Sequence, residues 1–263
     1  MDFQEILYTK EDGIALITLN RPQTLNSFSV PLEREWLQAL QDAHRDPEVR
    51  VVVITGVGRA FCSGGNPRNL LASREYYRKT GKWTVAPELA ELAQTIRDLE
   101  KPYLAAVNGP AVGGGWEIVS LCDIRIASER AKFGTGFVRM GEVPASIGCY
   151  IFPRLVGIPR ALELIWTGRL FDAQEALRIG YVNEVVPHDE LMPRALALAR
   201  SLARGPYLAI KEIKKLVYGC LELSFPEAIQ AHQRACQVVA ASEDAVEGPK
   251  AWIEKREPMF KGR

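Results

Sequence analysis

The sequence predicts a layered α/β fold in which repeated strand–turn–helix units coil into a spiral, closed by an all-helical C-terminal layer. Three observations predict it. First, VVVITGVGRAFCSGGN (51–66) and YLAAVNGPAVGGGWE (103–117) share one plan. In each, an apolar strand ends in Thr-Gly or Asn-Gly, crosses a few small residues and reaches a glycine cluster that opens a helix. Second, short β-branched or apolar runs alternate with amphipathic stretches through most of the chain. Third, from about His188 the pattern is helical, broken at Gly205-Pro206, Phe225-Pro226 and Gly248-Pro249.

Taken in order, IALITL (14–19) reads as a strand, followed by the polar turn NRPQTLNS (20–27). PLEREWLQALQDAH (31–44) begins with proline and carries apolar residues at helical spacing. VRVVVITG (49–56) is a buried strand leading into the glycine-rich loop GVGRAFCSGGN (56–66). Residues 69–82 are polar, aromatic and irregular, and read as a mobile flap ahead of a helix at PELAELAQTIRDLE (87–100). KPYLAAVNG (101–109), CDIRIAS (122–128) and KFG (132–134) are strands. YIFPRLVG (150–157), PRALELIWTG (159–168) and DAQEALRIG (172–180) are helices, and VNEVVP (182–187) is the last strand. The 263 residues divide into a core of residues 1–200 and a helical layer of residues 201–263 that covers the core or packs against another subunit.

Composition narrows the function. Apolar residues make up 47% and charged ones 25%, with 33 Lys and Arg against 32 Asp and Glu, a net charge of +1. That balance argues against a nucleic-acid binder held by general electrostatics. The five cysteines show no C-x-x-C spacing, so neither a disulfide framework nor a zinc cluster is implied, and a reducing cytoplasm fits best. MDFQEILYTK has no signal pattern, and no apolar run approaches the roughly 18 residues of a membrane helix. His44, His188 and His232 lack metal-ligand spacing, Ser63 fits no G-x-S-x-G elbow, and no G-x-G-x-x-G follows a strand. Cys62 has no histidine close in sequence and reads as a buried structural thiol.

The glycine clusters carry the chemistry. The first amides of a helix have no intrahelical partner, so Gly65 and Gly114 each offer an outward N–H. Two such donors converging from neighbouring repeats can stabilise an oxygen that becomes negative in a transition state. The alternative is that glycine there only permits tight turns and close packing. Glu117, in the first turn after GGG, reads either as a general acid/base or as a complement to the helix dipole.

NRPQTLNSFS, AFCSGGN, VNGPAVGGGWEIVSLCDIRIAS, FPRLVG, TGRLFDAQEALRIGYVNEVVP and the terminal KREPMFKGR together resemble the crotonase superfamily, the enoyl-CoA hydratase/isomerase family, over essentially the whole chain. The resemblance implies a spiral of ββα repeats with a helical C-terminal trimerisation region, assembled as a homotrimer or a dimer of trimers. It implies an acyl-CoA substrate, no separate cofactor, no metal, and no nucleic-acid or membrane partner. The thioester oxygen would lie between the amides of Gly65 and Gly114, with Glu117 as acid/base. Arg21 and Leu25, in the turn along CoA, together with Ser63 and Arg68, would contact CoA, and Lys261 would approach the CoA of a neighbouring subunit. Where hydratases of the family carry a second glutamate, in a segment like FGQPE, this chain has FGTGF and Phe137. In the following loop, MGEVPASIG, the usual acid positions hold Ala145 and Ser146, which leaves Glu142 as its only carboxylate and the candidate second catalytic acid, at a position not normally catalytic. Enoyl-CoA hydration is the expected reaction. Isomerisation, decarboxylation, hydrolysis and a non-catalytic acyl-CoA-binding role are the alternatives.

Overall fold

A computed structural model describes residues 2–82, 87–144 and 146–262. The chain opens with an antiparallel hairpin, β1 (Ile6–Glu11) and β2 (Ile14–Leu19), turned by Asp12 and Gly13, both at positive φ. Then follow α1 (Val30–Arg45), β3 (Val51–Gly56), α2 (Pro67–Thr80) and α3 (Pro87–Asp98). Next come β4 (Tyr103–Val107), β5 (Ala111–Val112), α4 (Gly114–Leu121), β6 (Ile124–Ser128), β7 (Lys132–Gly134), α5 (Gly148–Val156) and α6 (Ile158–Thr167). The rest is β8 (Phe171–Asp172), α7 (Ala173–Arg178), β9 (Glu184–Val186), α8 (Leu191–Ala203), α9 (Tyr207–Gly219), α10 (Phe225–Ala240) and α11 (Glu243–Glu254).

The main sheet has the order β1-β2-β3-β4-β6-β9 and is parallel from β2 onward. A second sheet, β5-β7-β8, takes one short strand from each successive repeat. The first repeat contributes only an isolated bridge there, Cys62 to Ala111. Strand, short strand and helix thus recur as β4-β5-α4 and β6-β7-α5, which is the ββα spiral.

The central strands β3 and β4 bury both faces. On β3, Val52 and Ile54 face the large core shared with α1, α3 and α4, whereas Val51 and Val53 face α8. That alternation is the period-two geometry of a strand, and burial on both sides is why the run reads as continuously apolar. Ala195, Ala199 and Ala203 form a small-residue stripe that lets α8 lie close on the sheet. The expected division between residues 200 and 201 falls inside α8, a helix that packs on the main sheet.

Two local readings are corrected. Residues 69–82 lie mostly within α2 rather than in an irregular flap. Asn66 caps that helix by accepting the Arg68 amide at 2.9 Å, Pro67 starts it, and Gly81 ends it at φ 68°. Such caps define a helix even when no residue of it is buried. β1, unassigned in the sequence reading, is an edge strand with one buried residue, Ile6. No helix among the described residues is long and apolar enough to cross a membrane.

Candidate active site

The two glycine clusters meet at the ends of parallel neighbours β3 and β4. Backbone bonds lock them together: the Val112 amide donates to the Cys62 carbonyl at 3.0 Å, and Phe61 and Cys62 donate to the Pro110 carbonyl. A Cβ on Gly64 would sit 2.6 Å from the Val112 oxygen and 2.8 Å from the Gly114 nitrogen. A Cβ on Gly115 would strike the Cys62 oxygen at 2.3 Å, and one on Gly114 the Phe28 ring at 2.3 Å. Glycine is required at these three positions by protein packing. At Gly65 a Cβ would meet no atom within 4 Å. The packing and ligand readings of the glycines therefore separate by position. Gly113, at φ 58° and ψ −126°, is where the turn itself needs glycine. Among the described residues neither the Gly65 nor the Gly114 amide has an acceptor in the chain.

Glu117 lies one turn into α4 and is fully buried. Its Oε1 accepts amides from Ser146 at 3.1 Å, Ile147 at 3.1 Å and Gly148 at 2.9 Å, and its Oε2 accepts from Ser146 at 3.3 Å. These are the opening amides of α5, whose own N-cap residue Ile147 has no capping side chain. The carboxylate supplies that cap from another helix. Three N–H donors and the positive end of α5 thus converge on one buried side chain. Gly148 is the tight point, where a Cβ would lie 2.6 Å from Trp116, 3.0 Å from Glu117 Oε1 and 3.0 Å from Pro144.

Glu142 sits in the loop that leads to α5 and is held by Arg74 of α2. Nε and Nη2 of Arg74 donate to its two carboxylate oxygens, each at 2.5 Å. The pair joins α2 to the 141–147 loop. Phe137 begins a short 3-10 turn (Phe137–Met140) and packs partly buried against the core. Ala145 lies outside the described residues.

The turn at residues 21–26 is seated on the first glycine loop. The Leu25 carbonyl accepts the Ser63 amide at 3.0 Å, and Ser63 Oγ donates to the Thr24 carbonyl at 3.3 Å. Leu25 and Asn26 adopt left-handed φ of 56° and 54°. Asn26 is fully buried and anchors the turn through Val57, Ala60 and the Arg21 amide. The Arg21 guanidinium is engaged by Glu5 at 3.0 Å and by the Ser27 carbonyl. Arg68 is exposed in the first turn of α2, with no ion pair among the described residues. Lys261 pairs with Glu243 at 3.0 Å, and its carbonyl accepts from Arg50, the residue before β3. That is the opposite end of the strand from the glycine loops, so Lys261 is apart from the other candidates within one chain. Cys62 lies under the first loop, fully buried, and burial pushes its thiol up to about 12, which leaves it un-ionised and poorly nucleophilic.

A family model for enoyl-CoA hydratase/isomerase matches residues 9–263. The chain belongs to that family. Among curated proteins of the enoyl-CoA hydratase/isomerase family and its neighbours, it is 34% identical to a crotonyl-CoA hydratase of Syntrophomonas wolfei, with 99% of each chain covered. Among solved structures it is similar to an enoyl-CoA hydratase from Bacillus anthracis, at TM-score 0.91 and 33% identity over 99% of this chain and 100% of that one. An enoyl-CoA hydratase from Polaromonas is matched at TM-score 0.91 and 28% identity, over 97% and 99%. The site brings together the three-amide grip on Glu117 and the Arg74–Glu142 pair. Neither contact is marked by local spacing, because each joins residues about 30 or more positions apart.

Proposed function

We propose that this chain adds water across the Cα–Cβ double bond of an α,β-unsaturated acyl-CoA thioester and catalyses the reverse elimination. One observation carries the reading: a fully buried Glu117 stands one turn past Gly114, whose amide, like that of Gly65, lacks an acceptor among the described residues. In this mechanism the thioester oxygen accepts from Gly65 and Gly114. Glu117 takes one proton from water as the water oxygen bonds to Cβ. The π electrons move onto the thioester as an enolate, whose oxygen the two amides stabilise by about 3–4 kcal/mol each. Glu117 then returns the same proton to Cα. One carboxylate serves both transfers, and the atoms of one water are fully placed.

The exposed Arg68 guanidinium supports contact with a CoA phosphate, and the turn at 21–26 with Ser63 borders the route along CoA. Five free thiols are in keeping with a reducing cytoplasm. The presence of Phe137 where a second glutamate is usual favours a second reading, double-bond isomerisation. There Glu117 moves a proton between Cα and Cγ and no water is added. Incubation with 2-enoyl-CoA esters and mass analysis separates the two. Hydration adds the mass of one water, isomerisation leaves the mass unchanged, and no turnover on any ester would point to a non-catalytic acyl-CoA binder.

A further inference from the structure

The two amides assigned to the thioester oxygen are not held equally. The Gly114 segment is wedged in the core, where an added Cβ would strike the Phe28 ring or, on Gly115, the Cys62 oxygen. On the other loop, tight packing stops one residue short of the donor. The peptide plane that carries the Gly65 N–H is pinned at its oxygen end, where the Gly64 carbonyl accepts the Phe28 amide at 2.8 Å. At the other end of that plane, a Cβ on Gly65 would meet no atom within 4 Å. The chain then passes into Asn66, the cap of α2, and α2 buries none of its 14 residues. One hydrogen bond leaves the plane free to pivot, so its tilt depends on how α2 lies.

Arg74 stands about 13 Å along the chain from Gly65, at 1.5 Å per helical residue. Its Nε and Nη2 grip both oxygens of Glu142, and the two side chains are only 29% and 17% exposed. An isolated surface pair holds little, but a bidentate and partly buried one fixes direction as well as distance. The Glu142 end is firm. Its amide donates to the Phe137 carbonyl at 3.0 Å, and the loop runs on into the 146–148 amides that bind the buried Glu117. The pair therefore fastens an unburied helix to a loop anchored in the core. We infer that Arg74 is a positioning residue for the first oxyanion donor: through Glu142 it sets the lie of α2, and with it the aim of the Gly65 N–H. The inference rests on the reading of Gly65 as a donor to the thioester oxygen. Arg74 itself touches no substrate and moves no proton. Its effect on rate comes from alignment, to which catalysis is sensitive at the scale of 1 Å.

The test is a double-mutant cycle on crotonyl-CoA and a longer 2-enoyl-CoA ester, with thermal unfolding measured alongside. It compares wild type, Arg74→Gln, Gly65→Pro and the two changes combined. Arg74→Gln is expected to lower kcat by about 3- to 10-fold with KM nearly constant, because the donor acts on the transition state. The same change in the Gly65→Pro background, where no N–H is left to aim, should cost less than about twofold. Arg74→Lys keeps the charge and one hydrogen bond and should stand above Arg74→Gln in kcat, a check that does not require the proline variant to fold. An unchanged kcat in Arg74→Gln would overturn the inference. So would a loss equally large in the Gly65→Pro background, or a lysine variant no better than the glutamine one. A folded Gly65→Pro variant with wild-type kcat would instead overturn the reading of Gly65 as a donor, and the inference with it.

Discussion

Gly65 and Gly114 offer the same kind of amide but tolerate change differently. A side chain on Gly114 collides with the buried Phe28 ring, so any substitution there mixes a lost donor with a damaged core. Gly65 is the clean probe. Gly65→Ala keeps the N–H, adds a methyl that meets no protein atom, and should fold as wild type. Gly65→Pro removes the N–H and should cut kcat by about 100-fold or more. Equal activity of the proline and alanine variants, both folded, would remove Gly65 from the mechanism. Glu142 makes the opposite case. Its bidentate contact with Arg74 has the geometry of a brace, so Glu142→Gln should lower kcat less than about tenfold, while amide exchange in α2 quickens. A loss as large as that of Glu117→Gln would make Glu142 a second acid. Gly65, Gly114 and Glu117 were legible as candidates because each rests on local spacing. The amides of 146–148 were not, since they reach Glu117 only through the fold.

At the level of elements, legibility followed burial. VVVITG and YLAAV read as strands because both faces are covered. α2 and β1 lie at the surface, where no apolar period marks them. α2 was signalled only by Asn66, Pro67 and Gly81. Polar contacts between elements were invisible to the sequence. One of them sets an acid response. Glu100, between α3 and β4, pairs with Lys211 at 2.5 Å and Lys215 at 2.8 Å on α9. Their hydrogen bonds hold its carboxyl at about 2, below the 4.5 of an unperturbed glutamate. Between those values the unfolded chain binds more protons than the folded one. The stability from this contact is therefore complete above pH 4.5 and is lost as pH falls toward 2. The lysines are 22% and 47% exposed, so solvent screening limits the contribution to about 1 kcal/mol or less. Glu100→Gln should be less stable than wild type at neutral pH, and the difference should close in acid. A difference that persists unchanged at low pH would contradict this.

The molecule as a whole is a spiral whose strand ends collect the glycine loops, with helices on both faces of the main sheet. Family resemblance made this architecture readable over the full chain, but the sequence could not say which surfaces remain exposed. In a single chain, Phe225 of α10 is 79% exposed, and Trp252 and Ile253 of α11 are 86% and 79% exposed. Large apolar side chains concentrated on terminal helices support assembly through that region, in a closed cyclic arrangement. A trimer or a dimer of trimers is expected by light scattering at micromolar concentration. Trp252→Glu should shift it toward monomer, and a wild-type chain that stays monomeric would refute the proposal.

The mechanism turns on a proton carried by Glu117, and the most direct measurement is the turnover of Glu117→Gln on a 2-enoyl-CoA ester that wild type hydrates. Glutamine keeps the size and can still accept from the 146–148 amides, but it cannot take a proton from water. The expected result is a fall in kcat of about 100- to 10,000-fold with affinity for the CoA ester nearly unchanged. A folded Glu117→Gln variant that hydrates the ester at the wild-type rate would contradict the account, leaving Glu117 as the cap of α5 alone.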